Sequence, residues 1–137
     1  MTLNLEALES SFAQVKPLAP DFAASFYQNL FTDYPQLQPL FAHTDMNEQR
    51  KHIIKALVLV VENLRQPDVL NNALKEMGAR HLKYGTIQEY YPMVGASLLK
   101  TFEFYLGANW TSEVKQSWCD AYDAIASIML EGAKEVS

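Results

Sequence analysis

Residues 76–95 read EMGARHLKYGTIQEYYPMVG, and the fold turns on what this stretch does. Leu70, Leu74 and Met77 fall on one side of a 3.6-residue period, and His81 shares that apolar face. Tyr84-Gly85 breaks the pattern, and Thr86 offers an N-cap for a following helix. An imidazole on an apolar face near a helix end suits metal binding inside a hydrophobic slot. The same placement suits a partly buried core histidine with a hydrogen-bonded ring, which is the commoner use of such a residue. The stretch predicts helix, break, helix; the chemistry of His81 has to be decided elsewhere in the chain.

The segments on either side are helical as well. Leu5, Leu8, Phe12 and Val15 step by three or four, and Pro17 ends the helix they define. Pro20-Asp21 opens a second helix with Phe22, Phe26, Leu30 and Phe31 on one side and Tyr27 beside Phe26. Tyr34-Pro35 stops it, because the residue before proline is pushed out of the helical region. Leu37, Leu40 and Phe41 mark a tight helical turn over residues 36–41. Asp45-x-x-Glu48 resembles a capping box at the head of a long helix that carries Gln49, Ile53, Leu57, Val60, Val61 and Leu64. Pro67 suits the first turn of the next helix, which runs to about His81. A further helix starts near Ile87, holds Pro92 in its first turns and ends at Gly107; Thr111 caps the last. No segment sustains a period of two and no Asn-Gly or Asp-Gly hairpin signal occurs, so the chain reads as all-α.

Composition narrows the function. A chain of 137 residues, 49% hydrophobic, makes one domain (1–137) with a proper core. No apolar run reaches the length of a membrane span, and the acidic, amphipathic start MTLNLEALESSF lacks the basic region of a secretory signal. A formal charge of −5 argues against nucleic acid as a partner. One cysteine, Cys119, excludes an internal disulfide and cysteine-rich metal sites. These features together predict a reduced, cytoplasmic protein that engages neither nucleic acid nor membrane. The five glycines are scattered, so there is no phosphate loop; there is no zinc-helix or nucleophile-turn motif, and His43, His52 and His81 are too far apart for a local cage. What stands out is the aromatic supply of seven Phe, seven Tyr and two Trp, most of which ordinary packing would absorb.

Ordered motifs give that supply a second meaning. Phe26-Tyr27-Gln28-Asn29-Leu30-Phe31, Tyr34-Pro35 followed by Pro39-Leu40-Phe41, Gln49, Ala79-Arg80-His81, Tyr90-Tyr91-Pro92-Met93-Val94-Gly95 and Trp118-x-x-x-Tyr122 occur in this order. Together, and over nearly the whole chain, they resemble a bacterial single-domain globin, of the kind similar to the haem domain of flavohaemoglobins. The resemblance implies a globin fold packed around one haem b, with His81 as the metal ligand. It implies that a backbone carbonyl or a side chain takes the other imidazole N–H and fixes the ring. It puts Phe41 against the macrocycle, Ile53 and Leu57 on the distal wall, and Leu74, Met77, Val94 and Tyr122 on the proximal and lateral walls. Tyr27 and Gln49 it places where a hydroxyl and an amide can donate to bound dioxygen. His52 would point to the haem edge, toward a propionate or solvent, with a second histidine ligand from His52 or His43 as the alternative.

The resemblance also has a gap. In the family a tyrosine, matched by Tyr91, links the proximal histidine to a glutamate on the last helix. The matching position here is Ala133, and Glu131 lies roughly 200° round the helix from it. No flavin or nicotinamide segment is present in the 137 residues, so electrons would come from an external reductase. The function implied is reversible binding of dioxygen and of nitric oxide or carbon monoxide, by a monomer or weak homodimer. One alternative is nitric oxide dioxygenation to nitrate with that reductase; another is a haem-based gas sensor, which lacks a transmitter here. A cofactor-free helical adaptor is the reading if His81, Tyr27 and Gln49 are plain core.

Overall fold

A computed structural model describes residues 4–83 and 88–135. Six α-helices run over Leu5–Val15 (α1), Ala19–Asp33 (α2), Met46–Glu62 (α3), Pro67–Lys83 (α4), Tyr90–Leu106 (α5) and Ser112–Glu135 (α6), and no strand occurs among the described residues. The Tyr84-Gly85 break, Thr86 and Ile87 lie outside the described residues; α5 is in place from Tyr90, with Pro92 in its first turn.

The chain's punctuation acts largely as its chemistry dictates. Asn4, whose cap the sequence reading passed over, accepts from the Ala7 amide at 3.1 Å and starts α1. Pro17 tightens the chain into a 3₁₀ turn, Lys16–Leu18, and Pro35–Phe41 forms another. In that second turn Leu37 is buried but Leu40 is exposed, although the two are one 3₁₀ turn apart and share an edge, so only the start of that edge meets the core. Asp45 caps α3 through the Asn47 amide at 3.0 Å. Glu48 does not complete a capping box; it pairs with Lys51 instead. Thr111 caps α6 through the Val114 amide at 3.2 Å. Gly107 ends α5 at φ +52°, a conformation costly for any residue with a side chain.

Two contacts set the frame. Phe102 on α5 packs against Phe22 on α2 at 4.9 Å between ring centres and stacks on Trp118 of α6 at 4.3 Å. The Trp118 indole N–H donates to Ser11 on α1 at 2.8 Å, so one buried ring ties three helices together. The other contact is α4 against α6, backbone on backbone. A Cβ placed at Gly78 would lie 1.9 Å from the Met129 carbonyl oxygen, and one at Gly132 would lie 2.2 Å from that of Lys75. Only glycine fits at either crossing point. α2 then crosses both α5 and α3, which brings Tyr27 to Gln49.

Candidate functional site

Tyr27 is buried on α2, and Gln49 is half-buried in the first turn of α3. The Gln49 amide donates to the Tyr27 hydroxyl oxygen at 3.0 Å. That bond uses the oxygen and not the hydroxyl hydrogen, so Tyr27 keeps a proton to donate. Its surroundings are aromatic: Phe26 at 4.8 Å, Phe41 at 5.8 Å and Phe31 at 6.0 Å, with Phe31 and Phe41 at 5.3 Å from one another. Burial among these rings pushes the Tyr27 pKa up to about 12, against a smaller lowering by the Gln49 amide. The sequence reading had Phe31 only as part of a helix face. Its position four residues after Tyr27, one turn along the same helix, is the signal that joins it to this cluster.

His81 sits two residues before the end of α4, half-buried. Its Nδ1–H donates to the Met77 carbonyl one turn earlier, at 2.7 Å. A carbonyl can only accept, so this bond fixes the tautomer and places the lone pair on Nε2. Burial pulls the imidazole pKa below its usual value, partly opposed by the Met77 carbonyl, while neighbouring Arg80 adds to the lowering. The ring is therefore neutral at neutral pH, as a metal ligand must be.

The apolar residues divide into two sets. Phe41, Ile53, Met77, Val94 and Tyr122 are half-buried, so each keeps a face that the protein does not cover. Leu57, Leu74 and Tyr91 are buried, and Leu74 lines a separate apolar cavity between α3, α4 and α6. Tyr122 does more than form a wall. Its hydroxyl donates to the Tyr91 carbonyl at 2.6 Å, and its ring occupies the space a side chain at Gly95 would need, with Cε2 2.6 Å from that Cβ position. Burial raises the hydroxyl pKa of both Tyr122 and Tyr91. Spacing gives no sign of this tie between α6 and the start of α5. Ala133 is half-buried and Glu131 is exposed, as the helical offset predicts; His43 and His52 are both exposed.

A sequence model of the family described as Globin matches residues 24–129. The chain belongs to the globin family. A flavohemoprotein of Rhizobium meliloti (strain 1021) is 32% identical over 106 residues, covering 76% of this globin and 26% of that protein. One from Bacillus subtilis (strain 168) is 27% identical over 135 residues, covering 97% and 34%. This globin thus spans about a quarter to a third of the length of these relatives. Among solved structures, a bacterial globin from Campylobacter jejuni superposes with a TM-score of 0.82 at 24% identity, covering 96% of this chain and 95% of that one. A Rhodothermus marinus protein assigned as a nitric oxide dioxygenase and engineered into a carbene transferase superposes with a TM-score of 0.87, also at 24% identity, covering 98% and 96%. At that identity the two structures speak for the fold.

The family implies a haem, and the residues present fit one. The donor set is a neutral imidazole with its second nitrogen already hydrogen-bonded, the arrangement that orients a histidine ligand. The half-buried rings and aliphatics named above supply apolar surface for a flat, greasy group. Among the described residues no cluster of three or more His, Cys, Asp or Glu side chains could hold a metal by itself. Among the described residues, too, no helix is long and apolar enough to cross a membrane.

Proposed function

We propose that this globin binds dioxygen reversibly, and nitric oxide and carbon monoxide with it, at the iron of one haem b held by His81. Residues 1–137 act as one globin domain in the cytoplasm, as a monomer or weak homodimer. Haem, held by His81, would supply an iron able to bind a diatomic gas reversibly. The observation that carries the reading is the Tyr27–Gln49 pair. A buried hydroxyl whose oxygen accepts from an amide, and whose own hydrogen is still available, is a donor prepared for a small partly negative ligand. A structural role would be better served by a hydroxyl that donates to the protein, as Tyr122 does to the Tyr91 carbonyl.

Each residue then has a task. His81, oriented by the Met77 carbonyl, would present Nε2 to the metal. Phe41, Ile53, Leu57, Leu74, Met77, Tyr91, Val94 and Tyr122 would enclose the macrocycle and keep water from it. Gln49 would hold Tyr27 in place and contribute a weaker donor. The test is to add haem to the purified protein, reduce it, and titrate it with dioxygen. Reversible uptake at one gas per haem is the expected result; a reduced protein that takes up no dioxygen contradicts the reading.

Nitric oxide dioxygenation with an external reductase is the second reading, favoured by the likeness to a protein assigned that activity and to flavohemoproteins about three to four times as long. It uses the same residues. Nitrate formation sustained by an added flavin reductase under dioxygen and nitric oxide tells the two apart.

A further inference from the structure

Next to Tyr27 on α2, Gln28 is exposed, but Asn29 is half-buried and has no task in the site above. Its amide donates to the Thr101 hydroxyl oxygen on α5 at 3.1 Å, and Thr101, which is fully buried, donates in turn to the Ser97 carbonyl at 2.7 Å. The direction is fixed, because Thr101 has one proton and gives it to that carbonyl, so the Asn29 amide nitrogen must face the hydroxyl. One turn earlier on α2, Ser25 shares a hydrogen bond with the Tyr105 hydroxyl at 2.8 Å; one turn later, Asp33 pairs with Lys100 at 3.0 Å. Three successive turns of α2 are thus tied to α5. The Asp33 pair is solvent-exposed and weak, and the Ser25 tie joins two hydroxyls that can both rotate. The Asn29–Thr101 bond has a buried end and one possible direction, so it is the tie that fixes how α2 is turned about its own axis.

Tyr27 lies two residues from both Ser25 and Asn29, about 200° round the helix. It therefore leaves α2 on the side away from α5 and toward Gln49 of α3. A tyrosine hydroxyl stands well out from its helix axis, and that distance magnifies any turn of the helix. Beyond the bond from Gln49, the ring is held by packing against Phe26, Phe31 and Phe41. Misplacing a group by about 1 Å can cost on the order of 100-fold in rate, so the rotation of α2 bears directly on what Tyr27 can do.

We propose that Asn29, through Thr101, is a positioning residue for the Tyr27 hydroxyl: it sets the rotation of α2 on α5, and with it the place from which Tyr27 donates to a bound gas. This rests on the gas-binding reading, and its test is chosen so that the two fail separately.

Asn29→Leu keeps the shape of the side chain and removes its donor; Thr101 keeps its bond to Ser97, so no buried proton is stranded. Thr101→Val removes the acceptor from the other side, so the test does not depend on one variant folding. Each should speed dioxygen dissociation from the haem-loaded protein on the order of 3- to 10-fold, less than loss of the hydroxyl itself, and leave carbon monoxide dissociation and the haem spectrum unchanged. In a Tyr27→Phe background neither should have a further effect. Ser97→Ala is the control: its hydroxyl is buried in the same seam with no hydrogen-bond partner among the described residues, so dioxygen release should stay at the wild-type rate. The displacement is also read without any gas, in the carbon-13 resonance of the Tyr27 ring carbon that bears the hydroxyl. That resonance should move in Asn29→Leu and Thr101→Val and stay in place in Ser97→Ala. An unmoved resonance in both, or an equal acceleration with and without the Tyr27 hydroxyl, overturns the proposal. A wild type that takes up no dioxygen overturns the gas-binding reading and the role toward gas with it, while the resonance, which needs no iron, separately decides whether Asn29 places Tyr27.

Discussion

On the proposed reading, the hydroxyl of Tyr27 sets how long dioxygen stays bound. A hydrogen bond to a partly charged acceptor is worth about 1.5–3 kcal/mol, and the aromatic, low-dielectric surroundings favour the upper part of that range. At about 1.4 kcal/mol per decade, Tyr27→Phe should speed dioxygen dissociation on the order of 10- to 100-fold. Gln49→Leu should do so less, and neither should much change carbon monoxide release, because that ligand presents a less polar acceptor. Stopped-flow displacement measures all three; a phenylalanine variant with wild-type dioxygen release would take the hydroxyl out of the site. The same residue makes a pH prediction. Its pKa is raised from the ordinary value near 10 to about 12, so the folded protein keeps the proton where the unfolded chain loses it. The stability this contributes is complete below pH 10 and is lost as pH rises through 12. Between pH 7 and 10 dioxygen release should therefore show no step from Tyr27, and a step in that window that vanishes in Tyr27→Phe contradicts the assignment. Of the proposed site residues, only His81 stood out in the sequence by itself, as a polar group on an apolar face; Tyr27 and Gln49 were singled out by the resemblance to the family. The partner of His81 was legible only as a type. That it is the Met77 carbonyl, and that Tyr122 bonds the Tyr91 carbonyl, depends on side-chain direction, which spacing does not reveal.

At the level of helices, α4 carries His81 and α6 holds α4 in place. The crossing at Gly132 brings α6 so close to the Lys75 backbone that a methyl group has nowhere to go except by separating the helices. Overpacking of this kind costs about 1–3 kcal/mol, so Gly132→Ala should lower the urea midpoint accordingly. Gly78→Ala, facing the Met129 carbonyl one turn before His81, should do the same and also weaken haem retention by shifting the histidine. Unchanged midpoints in both would mean that the helices are not in backbone contact. Helix boundaries were legible because proline, glycine and cap residues act locally. The close crossing was not, since Gly78 and Gly132 lie in helix interiors where a glycine reads as a mere weakness. Phe104 is 76% exposed, because α5 turns Leu98, Phe102 and Leu106 inward and leaves position 104 on the far side.

For the molecule as a whole, an all-α fold follows from period and punctuation alone, but its being a globin, and the purpose of its interior, do not. A core lined with Phe, Leu and Met looks the same in sequence whether it closes on itself or around a flat cofactor. Only the ordered motifs separated the two, and the half-buried state of Phe41, Ile53, Met77 and Val94 agrees with surfaces awaiting a partner. The central claim is that the interior closes on haem through His81. Its most direct test is the absorption spectrum of the haem-loaded protein, reduced and under carbon monoxide, for wild type and His81→Ala. The account predicts one haem per chain with the spectrum of a neutral-histidine ligand in the wild type, and either little retained haem or loss of that signature in the variant. Identical spectra from the two proteins would contradict it.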